Sequence, residues 1–310
     1  MITIFKNDER GLSTLAEPVN GCWIRVIDPT PDELTRLQGM GFPMDYLTYP
    51  LDLDERPRTE REDGAILIVL RIPFFQGWTV DVPYTTIPLG IVITDKYLVT
   101  ICKRSNDIIQ EFAGGRVRGL STGKRNRFVL RLLLHTAAQY LNYLREISRV
   151  VETLEDKLQQ SSRNREVLEL LKYEKSLTYF TTALKSNELM LERLQRSQMF
   201  KAYPDDEDLL EDVITENQQA IEMTSIQNDI LSGMMDAFAS IISNNLNEVI
   251  KLLTAVTLVL SFPAIIAGLF GMNVALPFQE DHPLSFPIIL LISVGISLGV
   301  VLILKRRDWF

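Results

Sequence analysis

The feature that most constrains this chain lies near its C-terminus, where residues 249–272 read VIKLLTAVTLVLSFPAIIAGLFGM and no side chain from Leu252 to Met272 is ionisable. As a helix, that run is long enough to cross about 30 Å of hydrocarbon. A buried core helix of a soluble protein is the competing reading. Against it stands a second apolar run, 287–304, which ends in Lys305, Arg306 and Arg307. The two runs, separated by 274–286, are expected to form a membrane hairpin.

Charge sets its expected orientation. The connecting loop carries Glu280 and Asp281 and no Lys or Arg, whereas Lys251 precedes the first run and three cations follow the second. Short loops rich in Lys and Arg stay on the cytoplasmic side, so both chain ends are expected inside and the loop outside. Trp309 and Phe310 then fall at the inner headgroups, a preferred level for such rings. Glu280 and Asp281 would raise the local cation concentration, an attraction screened within about 10 Å at 0.1 M salt.

The first run is not uniformly apolar. Asn247, Thr254, Thr257 and Ser261 recur at helical spacing and fall near one face. Such a stripe needs partners or water inside a membrane. Hydrogen bonding between packed helices satisfies that need. A pore lining also satisfies it, and one helix per chain can line a pore only in a ring of identical subunits.

The run closes with Gly268, Gly271, Met272 and Asn273, and Asn247-Glu248-Val249 stands at its inner end. Gly271-Met272-Asn273 ends the first of two C-terminal spans, after a long acidic amphipathic segment and before a basic tail. In this the chain resembles the CorA family of magnesium channels, over essentially its whole length. The resemblance implies a homopentamer in a cell (inner or plasma) membrane, with Gly271, Met272 and Asn273 ringing the outer mouth as the selectivity filter. It also implies that Asn247, Ile250, Leu253, Thr257 and Ser261 face the pore. It implies Mg²⁺ as cargo, with Co²⁺ or Ni²⁺ as further candidates, and cytoplasmic Mg²⁺ as regulator, with no organic cofactor. Among the acids crowding 205–212, Asp212 matches one regulatory carboxylate of the family, with Asp208 and Glu211 beside it. The bland account of the same acids is capping and solvation of a helix start.

The chemistry suits such a channel. Mg²⁺ prefers six oxygens and loses water reluctantly, so a ring of neutral amides at Asn273 would accept hydrogen bonds from the hydrated ion without trapping it. Ile250 and Leu253 would form a constriction that closes by dewetting.

The remaining chain reads as a cytoplasmic α+β domain. Residues 2–5 and 22–27 are β-rich, and Thr30-Pro31-Asp32-Glu33 is a capping box opening a short helix to about Gly39, before Gly39 and Gly41 break it. Residues 52–63 read as a charged connector and 65–74 as a strand. Residues 87–94 and 97–103 read as a hairpin across Asp95-Lys96. A helix is expected around 106–116, then a glycine-containing break at 114–123. The cations nearby, Arg116, Arg118, Lys124, Arg125 and Arg127, read as a solvated loop and helix start. Two amphipathic runs, 127–160 and 167–200, joined by a polar turn at 161–164, predict an antiparallel helical pair.

Asp205 reads as the cap of a third helix that continues without a break to about Gly271, roughly 100 Å at 1.5 Å per residue. Its 3-4 stripe, readable as a coiled-coil seam or a domain contact, passes through Asn217, Thr224, Asn228 and Asn245, poor core residues that in a self-assembled bundle would face a hydrated axis shared between copies. The expected organisation is thus 1–124 α/β domain, 125–204 helical hairpin, 205–248 stalk, 249–273 first membrane helix, 274–286 outer loop, 287–304 second membrane helix and 305–310 basic tail.

Composition excludes several classes. The 310 residues are 46% hydrophobic with net charge −8, and nucleic-acid binding calls for a basic patch instead. The opening MITIFKNDER has no apolar core of a signal peptide. No phosphate-binding loop, dinucleotide fingerprint or nucleophile elbow is present, so no enzyme is expected. Cys22 and Cys102 read as buried free thiols and His135 as structural; His282 lies in the outer loop. The expected partners are further copies of the chain, lipid and divalent cations. A proton-coupled Zn²⁺ transporter of the related ZntB type and a non-transporting coiled-coil scaffold are the alternatives.

Overall fold

The computed structural model describes residues 1–8, 11–62, 64–117, 119–160, 164–197, 199–200, 203–272 and 285–307. The chain divides into two compact units, Met1–Met234 and Met235–Phe310.

The first unit is built on a sheet. Strands β1 (Ile2–Asp8), β2 (Gly11–Leu15) and β3 (Cys22–Ile27) are followed by helices α1 (Pro31–Gly39) and α2 (Met44–Thr48) and a 3-10 turn, Tyr49–Leu51. Strands β4 (Arg58–Glu62), β5 (Ala65–Phe75), β6 (Tyr84–Ile93) and β7 (Tyr97–Cys102) complete a seven-stranded sheet of order β2-β1-β3-β7-β6-β5-β4. Only β3 and β7 run parallel; the other neighbours are antiparallel. The α1 capping box is formed, with Thr30 accepting from the Glu33 N–H and Glu33 reaching back to the Thr30 N–H. The β6–β7 hairpin turns at Asp95-Lys96 as expected.

Alternation along the strands divides the core between two faces. Cys22, Ile24, Val26, Leu67 and Val69 pack with Leu37, Phe42, Tyr46 and Leu47 of α1, α2 and the turn that joins them. The opposite face presents Trp23, Ile68, Leu70, Leu89 and Ile91 to the helices that follow. Gly90 stands where Pro50 of the 3-10 turn crosses the sheet, and a Cβ there would lie 2.1 Å from the proline ring.

Those helices are α3 (Asp107–Ala113), capped by Asn106, then α4 (Arg125–Gln160), α5 (Asn164–Arg196) and α6 (Pro204–Phe270). The helical pair expected across 161–164 is thus α4 and α5; residues 161–163 lie outside the described set. α5 also closes the sheet where β4 stops opposite Val69. Its Asn187 amide accepts from the Arg71 N–H and donates to the Arg71 carbonyl, at 2.9 and 2.8 Å.

Three expectations are corrected. Half of the charged connector 52–63 is β4: Arg58–Glu62 pairs with Ala65–Val69, and its charges are tolerable because the strand is an edge with solvent alongside. Asp205 does not cap α6. The helix begins at Pro204, whose missing N–H suits the first helical position, and Asp205 lies within the first turn. Within the first unit, the polar stripe of α6 makes the contact within the chain rather than facing an axis between copies. Asn217 is buried and donates to the Leu184 carbonyl, Thr224 is buried, and Asn228 donates to Thr181, so the stripe packs on α5 of the same chain. Short polar side chains serve there because each finds a hydrogen-bond partner. About half a turn away, Ile226 and Ile230 are exposed.

The second unit holds the remainder of α6, with Pro263 inside it, and α7 (Ser285–Arg306). Both are long and apolar enough to cross a membrane, and only 6% and 11% of their most apolar stretches are buried.

Candidate functional site

Within the second unit, α7 covers one side of α6. Ala255 is fully buried, Ser297 of α7 approaches the Val259 carbonyl, and Pro263, Ile266 and Phe270 share a crevice with Phe286, Ile289 and Ser293 of α7. At 100° per residue, Thr257 lies about 160° from both Ala255 and Val259. The expected pore residues therefore occupy the side that α7 leaves uncovered. Asn247, Ile250, Leu253 and Thr257 are exposed, Ile250 to 50% and Leu253 to 67%, and Ser261 is half-buried.

Their hydroxyls are already bonded. Thr254, Thr257 and Ser261 each donate to the carbonyl four residues back, at 2.7, 2.8 and 2.7 Å. The three hydroxyls of the stripe thus need no partner helix to satisfy their donors. Gly271 and Met272 follow the end of α6 and are exposed; Asn273, Glu280, Asp281 and His282 lie outside the described residues.

The acids at the start of α6 do not act as one group. Asp206 is buried and accepts from Arg127 of α4 at 2.8 Å, with Asp205 on the same guanidinium at 3.1 Å. The hydrogen bond to Asp206, then that to Asp205, hold the Arg127 pKa above its ordinary value, outweighing desolvation. Asp208, Glu211 and Asp212 are exposed. Among the described residues, no three His, Cys, Asp or Glu side chains are grouped to hold a metal ion.

The cations read as a solvated cluster divide likewise. Arg127 ties the starts of α4 and α6 together, and Arg125 bonds the Thr94 carbonyl; Arg118 lies outside the described residues. Sequence reasoning missed this tie, although an Arg in the first turn of one helix and paired acids in the first turn of another are its signal. His135 bonds Glu111 at 2.6 Å and packs on Phe112, a structural setting. Cys22 and Cys102 are buried free thiols.

The family model described as "CorA-like Mg²⁺ transporter protein" matches residues 20–306. The chain belongs to this family. Its members transport ions and are not enzymes. The chain is 31% identical to the cobalt/magnesium transport protein CorA of Methanocaldococcus jannaschii over 300 residues, 93% of this chain and 90% of that protein. Its fold matches the complete structure of the CorA magnesium transporter from Methanocaldococcus jannaschii with a TM-score of 0.86 and 26% identity, covering 100% of this chain and 99% of that one. The ZntB cytoplasmic domain from Vibrio parahaemolyticus shares the fold at a TM-score of 0.59 and 13% identity, over 79% of this chain and 98% of that domain. Kinship with CorA is thus nearer than with ZntB, and two membrane-length helices at the C-terminal end suit a membrane transporter.

Proposed function

We propose that this CorA family member is a homopentameric channel that admits Mg²⁺ down its electrochemical gradient, with Co²⁺ and Ni²⁺ as the further cargo to test. The observation that carries this reading is the side of α6 opposite α7. It joins apolar Ile250 and Leu253 to the oxygens of Asn247, Thr257 and Ser261, and among the described residues it is exposed except at half-buried Ser261. An exposed face of that composition in a membrane helix calls for like faces from further copies around a wet axis. Exposed Ile226 and Ile230 on the cytoplasmic part of α6 add apolar surface available to neighbouring copies.

In this reading both chain ends are cytoplasmic and Gly271, Met272 and Asn273 collar the outer mouth. The Asn273 amides accept hydrogen bonds from the hydration shell of an ion that dehydrates reluctantly. Glu280 and Asp281 concentrate cations outside. Ile250 and Leu253 form the constriction that dewets when closed. Asp212, with Asp208 and Glu211 nearby, is free to meet a neighbouring copy, so that cytoplasmic Mg²⁺ bridging two chains holds the closed state and its loss releases it.

The test is Mg²⁺ flux into proteoliposomes, wild type against Asn273→Ala, with Co²⁺, Ni²⁺ and Zn²⁺ as competitors. The amide deletion is expected to cut flux by at least about ten-fold, ~1.4 kcal/mol of barrier. Undiminished flux in Asn273→Ala removes the amide collar from the reading. Zn²⁺ uptake that collapses with the proton gradient moves the chain to the ZntB alternative. A dimer that passes no ions makes it a scaffold.

A further inference from the structure

Pro263 stands inside α6, eight residues before Gly271. A proline has no N–H, so the carbonyl four residues earlier, that of Val259, loses its helical donor. In a membrane segment such a carbonyl needs another partner, and side-chain hydroxyls of a neighbouring helix are one source. Ser297 of α7 supplies one: its Oγ donates to the Val259 carbonyl across the two helices, at 3.4 Å.

The setting of Ser297 differs from that of the hydroxyls on α6. Thr254, Thr257 and Ser261 each donate to their own helix four residues back. Ser297 instead reaches the carbonyl that the proline releases. Beyond this point, Ile266 and Phe270 line one crevice with Phe286 and Ile289. The contact therefore lies about three turns before the end of α6, which Gly271 and Met272 follow.

We propose that Ser297 is a positioning residue: by capping the Val259 carbonyl freed by Pro263, it fixes α7 against α6 and thereby sets the stance of the segment that ends in Gly271 and Met272. The flux arm of its test rests on the transport reading above; the stability arm does not.

The test is a double-mutant cycle on the full chain, with Ser297→Ala, Ser297→Thr, Pro263→Ala and the Pro263→Ala/Ser297→Ala pair. Thermal unfolding in detergent and Mg²⁺ flux in proteoliposomes are both measured. Ser297→Ala is expected to lower the unfolding midpoint and to reduce flux about three-fold, the equivalent of ~0.6 kcal/mol for an interhelical bond. Ser297→Thr, which keeps the hydroxyl, restores both. With Pro263→Ala the residue 263 N–H takes back the Val259 carbonyl, so adding Ser297→Ala to that background should change neither quantity further.

An equal effect of Ser297→Ala in both backgrounds overturns the proposal, because it shows a contact unrelated to the proline. So does an unchanged midpoint in the Pro263 protein. Absent flux in every variant, wild type included, defeats the transport reading, while the midpoints still decide the contact.

Discussion

The central strands of the first unit and the two membrane-length helices of the second are made of the same side chains and treat them in opposite ways. In β6, Leu89, Ile91 and Val92 are completely buried, whereas Leu260 of α6 and Leu291 and Leu302 of α7 are 65%, 75% and 62% exposed. The sheet finds its cover within the chain, in α1 and α2 on one face and α3 to α6 on the other. The helices of the second unit cover one another along a single side. Apolar content therefore identifies both regions, but only the location of the covering atoms tells a self-sufficient core from a surface meant for lipid or for other copies.

That contrast is open to direct attack. Leu89→Ala should cost about 3 kcal/mol, because it removes buried contacts and leaves a cavity, whereas Leu260→Ala in detergent should change stability by less than about 0.5 kcal/mol. Chemical denaturation of the purified chain measures both. Equal losses would mean that Leu260 has a protein partner that the second unit alone does not supply.

The next effect tests how the first unit manages charge. Arg127→Ala leaves Asp206, whose side chain is 5% exposed, without its cation, and should lower the denaturation midpoint measurably, by less than breaking a fully buried pair would, because Arg127 is itself partly solvated. Asp206→Asn placed in that variant should recover part of the loss, since it removes the stranded charge. No recovery would mean that the guanidinium acts by packing alone.

The smallest effect is chemical. Burial pushes the Cys102 thiol up to about 12, against weaker lowering from a backbone hydrogen bond at Arg104 and from the Asn106 side chain. At pH 8, well below that value, the group is the neutral thiol and not the reactive thiolate. Maleimide should therefore label Cys102 only after denaturant is added. Labelling of the native chain would sharpen the comparison by showing that the sheet opens locally.

Much of this architecture was legible because it is written in short-range chemistry. The Thr30 to Glu33 capping box, the turn at Asp95-Lys96 and the two uncharged runs each follow from a few neighbouring residues. What escaped depends on distant partners. Arg58–Glu62 looks like solvated charge until β5 is placed beside it. Asn217, Thr224 and Asn228 have the spacing of a seam, and the spacing does not say whether the partner is α5 or another copy. The residues expected to face a pore come from a resemblance to relatives. The structure adds which side of α6 its own α7 occupies, and the contact between Ser297 and Val259 depends on a proline 34 positions earlier in the sequence.

The inward-bonded hydroxyls of Thr254, Thr257 and Ser261 have a consequence for sign. A hydroxyl whose proton is committed to its own helix has only lone pairs to offer outward. A water shell around a cation turns its hydrogens away from the ion and towards such a wall; the shell of an anion turns its oxygens there. If like walls from further copies enclose a passage, as proposed, it would tell positive from negative without a single formal charge along these turns.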